Sequence, residues 1–122
     1  MRSNEPFDST SDWRPSTPAV TDGTVDDVLR SHPNLLVHFW ADWDRHDVAV
    51  DRIIQEVQPR FANRLHFVSY DVNANASFAQ RCRVANVPFL AVFVNGREMR
   101  PILAINTAEK LAAELEQRLT GD

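Results

Sequence analysis

The side chains best equipped for chemistry stand together in Asp44-Arg45-His46-Asp47, directly after Trp43. Two carboxylates, a guanidinium and an imidazole offer proton transfer, ion pairing or metal ligation. His38, in the apolar run Leu35–Ala41, adds a second imidazole. No serine, threonine or cysteine lies in this stretch, so covalent catalysis has no nucleophile there. The single cysteine, Cys82, sits between Arg81 and Arg83 and excludes an internal disulfide. An arginine close in space would lower its pKa and make it a reactive monothiol; the alternative is a half-buried, inert side chain. A zinc site needs three or four converging ligands, whereas Asp44, His46 and Asp47 crowd one helix start and diverge. No metal and no other cofactor is expected.

These residues must be positioned by elements legible in the pattern. "PAV" before Thr21 is a short strand candidate, and "TDGTVDDVLRSHP" offers Thr24 as N-cap of a helix with Asp27 three positions on. Leu35–Ala41 is apolar throughout except for His38, which suits a strand covered on both faces. Val50, Ile53, Ile54, Val57 and Phe61 recur at helical spacing, and Pro59 is expected to kink or end that helix. Asp44 is a strong N-cap for it, and Asp47 completes a capping-box-like arrangement. Leu65–Val72 reads as a second buried strand and "NASFAQRCR" as a short helix. Two strands joined by Asn95-Gly96 form a hairpin, with Pro101 marking its second strand as an edge. Thr107 caps a last helix whose stripe is Leu111, Leu115 and Leu119. The order is β-α-β-α-β-α-β-β-α.

At 122 residues, one domain with one core is expected, over residues 18–122, behind a polar, flexible tail over residues 1–17 that carries Phe7 and Trp13. A net charge of −4 and scattered cations, apart from the pairs Arg81/Arg83 and Arg97/Arg100, argue against nucleic acid or an anionic membrane as partner. No apolar run reaches the roughly 20 residues of a membrane span, and the N-terminus lacks the apolar core of a secretory signal. With its lone thiol, the chain is expected in a reducing cytoplasm.

The element order, together with "FWADWDRHD", "NVPF" and "FVNG", resembles thioredoxin almost without gaps from about Thr21 to Leu119. The resemblance implies an α/β thioredoxin fold, three α/β/α layers around a mixed sheet. It also implies a cis-proline step at Val87-Pro88 facing the motif loop. Thioredoxins carry W-C-G-P-C at this helix start; here Trp43 matches the tryptophan and Asp44-Arg45-His46-Asp47 replaces C-G-P-C. The family's buried acid beneath its second cysteine corresponds to His38, and the lysine partner of that acid to Ser69. A retained backbone therefore implies a buried His38–Asp47 pair.

Disulfide exchange requires a thiolate and a resolving thiol, which no carboxylate replaces. The fold is implied and the reaction is not. The expected function is a non-catalytic module that holds a protein or extended peptide in the groove of Trp43, Asp44, Arg45, His46, Asp47, Val87, Pro88 and Phe89. The alternatives are a monothiol or glutathione-linked redox protein using Cys82, or an acid–base site of His38 and Asp47.

Overall fold

The computed structural model describes residues 13–42 and 44–121. Strand β1 (Ala19–Val20) leads to helix α1 (Val25–Ser31), strand β2 (Leu35–Trp40) and helix α2 (Arg45–Phe61). Strand β3 (His66–Asp71), helix α3 (Ser77–Arg81), the hairpin β4 (Phe89–Val94) and β5 (Arg97–Glu98), and helix α4 (Ala108–Leu119) complete the chain. The sheet order is β1-β3-β2-β4-β5, with β1 and β2 parallel to β3 and with β4 antiparallel to β2 and β5. The expected element order and mixed sheet are those observed.

Every residue of β2 is buried, as a strand with helices on both faces requires. Side chains alternate along it. Leu36 joins Ile54 and Val57 of α2 and Leu111 and Leu115 of α4, while Leu35, Val37 and Phe39 face Val25 of α1 and Phe78 of α3. His38 has the parity of Leu36, and its register partner is Ser69 on β3. Two buried polar residues thus interrupt the apolar α2 face of the sheet.

Local signals locate most element ends. Thr107 Oγ1 accepts from Lys110 N at 3.1 Å, and Asn95 and Gly96 take φ of 55° and 80° in the hairpin turn. Two expectations change. Thr24 makes no side-chain cap; its hydroxyl instead accepts from Thr21 N at 2.9 Å, and Asp27 pairs with Arg30. Pro59 lies inside the last turn of α2, which runs on to Phe61. Phe61 is 1% exposed in the core, and its burial holds the turn that the proline deprives of an amide donor.

Trp13–Thr17, expected as part of the tail, pack on the domain; residues 1–12 lie outside the described residues. Trp13 stands edge-on to Trp40 with centroids 5.4 Å apart, and the Arg14 guanidinium lies 5.7 Å from the centre of the same ring. Ser16 donates its amide (3.0 Å) and hydroxyl (3.1 Å) to Asp51, and Ser69 Oγ donates to Thr17 O at 3.2 Å. Among the described residues, no helix is long and apolar enough to cross a membrane.

Helix α3 has no side-chain cap of its own, since its N-cap residue, Ala76, offers no acceptor. Asp22, from the β1–α1 loop, supplies the missing acceptors. It receives Phe78 N at 2.9 Å, Ala76 N at 3.0 Å, Ser77 N at 3.1 Å and the Tyr70 hydroxyl at 2.6 Å. The Tyr70 bond, then the Phe78 amide, hold its carboxyl well below the usual range. The folded state therefore resists protonating Asp22, and its contribution is complete above the unfolded value near pH 4 and fades as pH falls below it. Asp22→Asn is expected to lower the urea midpoint clearly at pH 7, with the gap to the parent narrowing at pH 3; an equal gap at both would contradict this linkage.

Candidate functional site

The start of α2 meets the end of β2, so the motif loop grows from the rigid centre of the sheet. Asp44 is the N-cap with extended backbone; its Oδ1 accepts from His46 N at 2.8 Å and contacts His46 Nδ1 at 3.1 Å. Its side chain is 15% exposed, whereas that of His46 is 86% exposed. Arg45 is also exposed, and Trp43 lies outside the described residues.

Asp47 does not complete the capping box. It is fully buried, and Oδ2 accepts from Ala41 N at 3.0 Å while Oδ1 is hydrogen-bonded to His38 Nε2 at 2.8 Å. One carboxylate therefore satisfies the amide just beyond β2 and the imidazole inside it. The tertiary partners win because a buried carboxylate needs strong donors on both oxygens, which the exposed helix end does not supply. His38 is likewise 0% exposed, and among the described residues its Nδ1 has no hydrogen-bond partner. A pair with no exposed surface holds structure; proton transfer to a substrate would first need the residues covering it to open.

Asp51, one turn beyond Asp47, was not singled out by sequence reasoning. It is 2% exposed and accepts from Ser16 and from Gln55 Nε2 at 2.8 Å, fastening the Trp13–Thr17 strap to α2. The signal was present: Asp47 and Asp51 fall on the same stripe as Val50, Ile54 and Val57, where a carboxylate requires a partner.

The Val87–Pro88 peptide is cis and lies beside this loop. On one side, His46, Val50, Pro88, Ile102, Ala104 and Ile105 line a predominantly apolar groove. On the other, Asp44, Val72, Val84, Asn86 and Val87 line a second cavity. Among the described residues, no backbone hydrogen bond engages Val87. The loop that closes the first groove is clamped from α4. The buried Arg118 donates to Arg100 O at 2.7 Å and Pro101 O at 3.0 Å, and its charge meets Glu114 at 2.6 Å.

Phe89 does not belong to the groove. It is 8% exposed, stacks edge-on against Phe39 at 5.7 Å and shares that residue's parity, so it faces α1 and α3. Cys82 also departs from the reactive reading. Burial, then Glu98, push its thiol up to about 12, outweighing the opposing effect of Arg81. It is a neutral, buried side chain 5% exposed. Among the described residues, no three His, Cys, Asp or Glu side chains gather as a metal would require.

Comparison with known proteins agrees with this geometry. The thioredoxin family model matches residues 16–117. The chain belongs to the thioredoxin family. Thioredoxin of Staphylococcus saprophyticus is 30% identical over 100 residues, covering 82% of this chain and 95% of that protein. Thioredoxin of Mycobacterium tuberculosis is 31% identical over 101 residues, covering 82% and 87%. Human ERp44 superposes with a TM-score of 0.75 at 24% identity over 89% of this chain, which spans 32% of that one. A second ERp44 structure gives 0.73 at 26% identity over 83% of this chain and 32% of that one.

Removing either member of the buried pair strands the other. Asp47→Ala is expected to cost about 3–5 kcal/mol in urea unfolding. A double-mutant cycle with His38→Ala should return a coupling above about 1 kcal/mol. Additive effects would mean that the two side chains do not depend on each other.

Proposed function

We propose that this chain is a thioredoxin-fold protein without dithiol redox activity, which holds an extended segment of a partner protein across Val87–Pro88. Its sequence supplies one thiol, and that thiol is buried, protonated and remote from the motif loop in sequence. Exchange through Cys82 would need a thiolate and a second sulfur. Acid–base catalysis by His38 and Asp47 would need a path to a side-chain pair sealed beneath the loop. A buried lone thiol also suits a reducing cytoplasm.

The observation that carries the reading is a Val87 backbone that, among the described residues, makes no backbone hydrogen bond and stands between two cavities. An extended chain can pair its own amide and carbonyl with Val87 and place alternate side chains in the flanking hollows. The occupant is then a peptide with apolar residues on both sides of the pairing position. Pro88, Ile102 and Ile105 receive one, and Val72 and Val84 the other. Asp44 and His46 set the polar rim in place of sulfur.

Decapeptides selected by phage display on the native chain should shift the amides of Asn86, Val87, Ala104 and Ile105 in heteronuclear NMR spectra. Val72→Glu should weaken the best of them at least tenfold. The insulin-reduction assay with dithiothreitol should show no acceleration over the uncatalysed rate. Selected peptides that map elsewhere would overturn the groove assignment, and measurable turnover would overturn the redox assignment.

A further inference from the structure

Arginines from both sequence-separated pairs meet in space, Arg97 excepted. Arg81, Arg83 and Arg100 line one cavity between the end of α3 and the segment that follows β5. Its apolar wall comprises Phe89, Met99 and Pro101. This cavity lies outside the groove described above and shares no lining residue with either of its two hollows.

The charges around it leave an excess of cations. Arg81 is paired with Asp26 at 3.0 Å, and Glu98 is the acidic group of the lining. Arg100 donates to the Gln117 amide oxygen at 3.4 Å and acts on Glu114, which already pairs with Arg118. Cys82, also in the wall, stays a neutral thiol and adds no negative charge at neutral pH. In a chain of net charge −4 this is a local reversal of sign.

The backbone adds an independent observation. Arg83 has φ 60°, directly after Cys82, the C-cap of α3. That position favours glycine, because a Cβ in the left-handed region is strained. A side chain placed there against backbone preference points to a task for the side chain. Guanidinium groups offer forked donors suited to carboxylate and phosphate oxygens, and the apolar wall suits an organic body.

We propose that this cavity binds a small organic anion, with its phosphate or carboxylate held by Arg83 and Arg100 and its apolar part against Phe89, Met99 and Pro101. The two chemical sources are separated by the probes. Phenyl phosphate and benzoate are titrated into the full chain by NMR, with inorganic phosphate and phenol as controls. At least one aromatic anion should saturate shifts at Cys82, Arg83, Met99 and Arg100, and should bind at least about tenfold tighter than either control.

Arg83→Gly separates binding from folding. It relieves the left-handed strain, so Tm should rise, while affinity for the anion should fall about tenfold, the loss of one charge-assisted contact. Arg100→Gln should weaken binding similarly with Tm unchanged. Shifts that map elsewhere, phenol binding as well as its phosphate ester, or an affinity unchanged in Arg83→Gly would overturn the site.

Discussion

The carboxylate of Asp47 holds the architecture of the site together. It is the point at which helix α2, the first amide beyond the central strand and the buried imidazole of His38 are joined, all buried from solvent. A carboxyl group in such a place is tolerable only because both oxygens have hydrogen-bond partners. That requirement fixes where α2 begins and how close it lies to the sheet. The position of Asp44 at the exposed helix end follows from it.

From that anchor the polar layer extends along one face of the sheet. Ser69 sits beside His38 in register and ties Thr17, while Asp51 on the next turn of α2 ties Ser16. The strap that results covers Trp40 with Trp13. In the position where thioredoxins place a sulfur beneath the loop, this chain has a hydrogen-bonded acid. The substituted acid holds the loop to the strand through Ala41 N and His38. The opposite layer is held differently, through Asp22, which caps α3 and meets Tyr70 from a separate loop.

What could be read from the sequence was what local chemistry determines. The buried run of β2, the Asn95-Gly96 turn, the Thr107 cap and the element order each follow from residues near one another in the chain. Asp47 was harder, since three residues after an N-cap it has a local partner to hand. Its place on the apolar stripe of α2 signals burial, but its partner His38 follows only from the resemblance of the whole chain to thioredoxins. Phe89 was misplaced because it adjoins Pro88, although strand parity opposite Phe39 puts it on the other face. Asp22, Arg118 and the meeting of the arginine pairs depend on loops that only the fold brings together.

The start of α2 is thus held to the central strand by an acid–imidazole contact. A nitrogen-15 NMR spectrum of the His38 imidazole tests this most directly. The account predicts a proton on Nε2 in slow exchange with solvent, which becomes fast or vanishes in Asp47→Ala. A ring exchanging freely with water, or one whose Nε2 proton ignores Asp47, would contradict it.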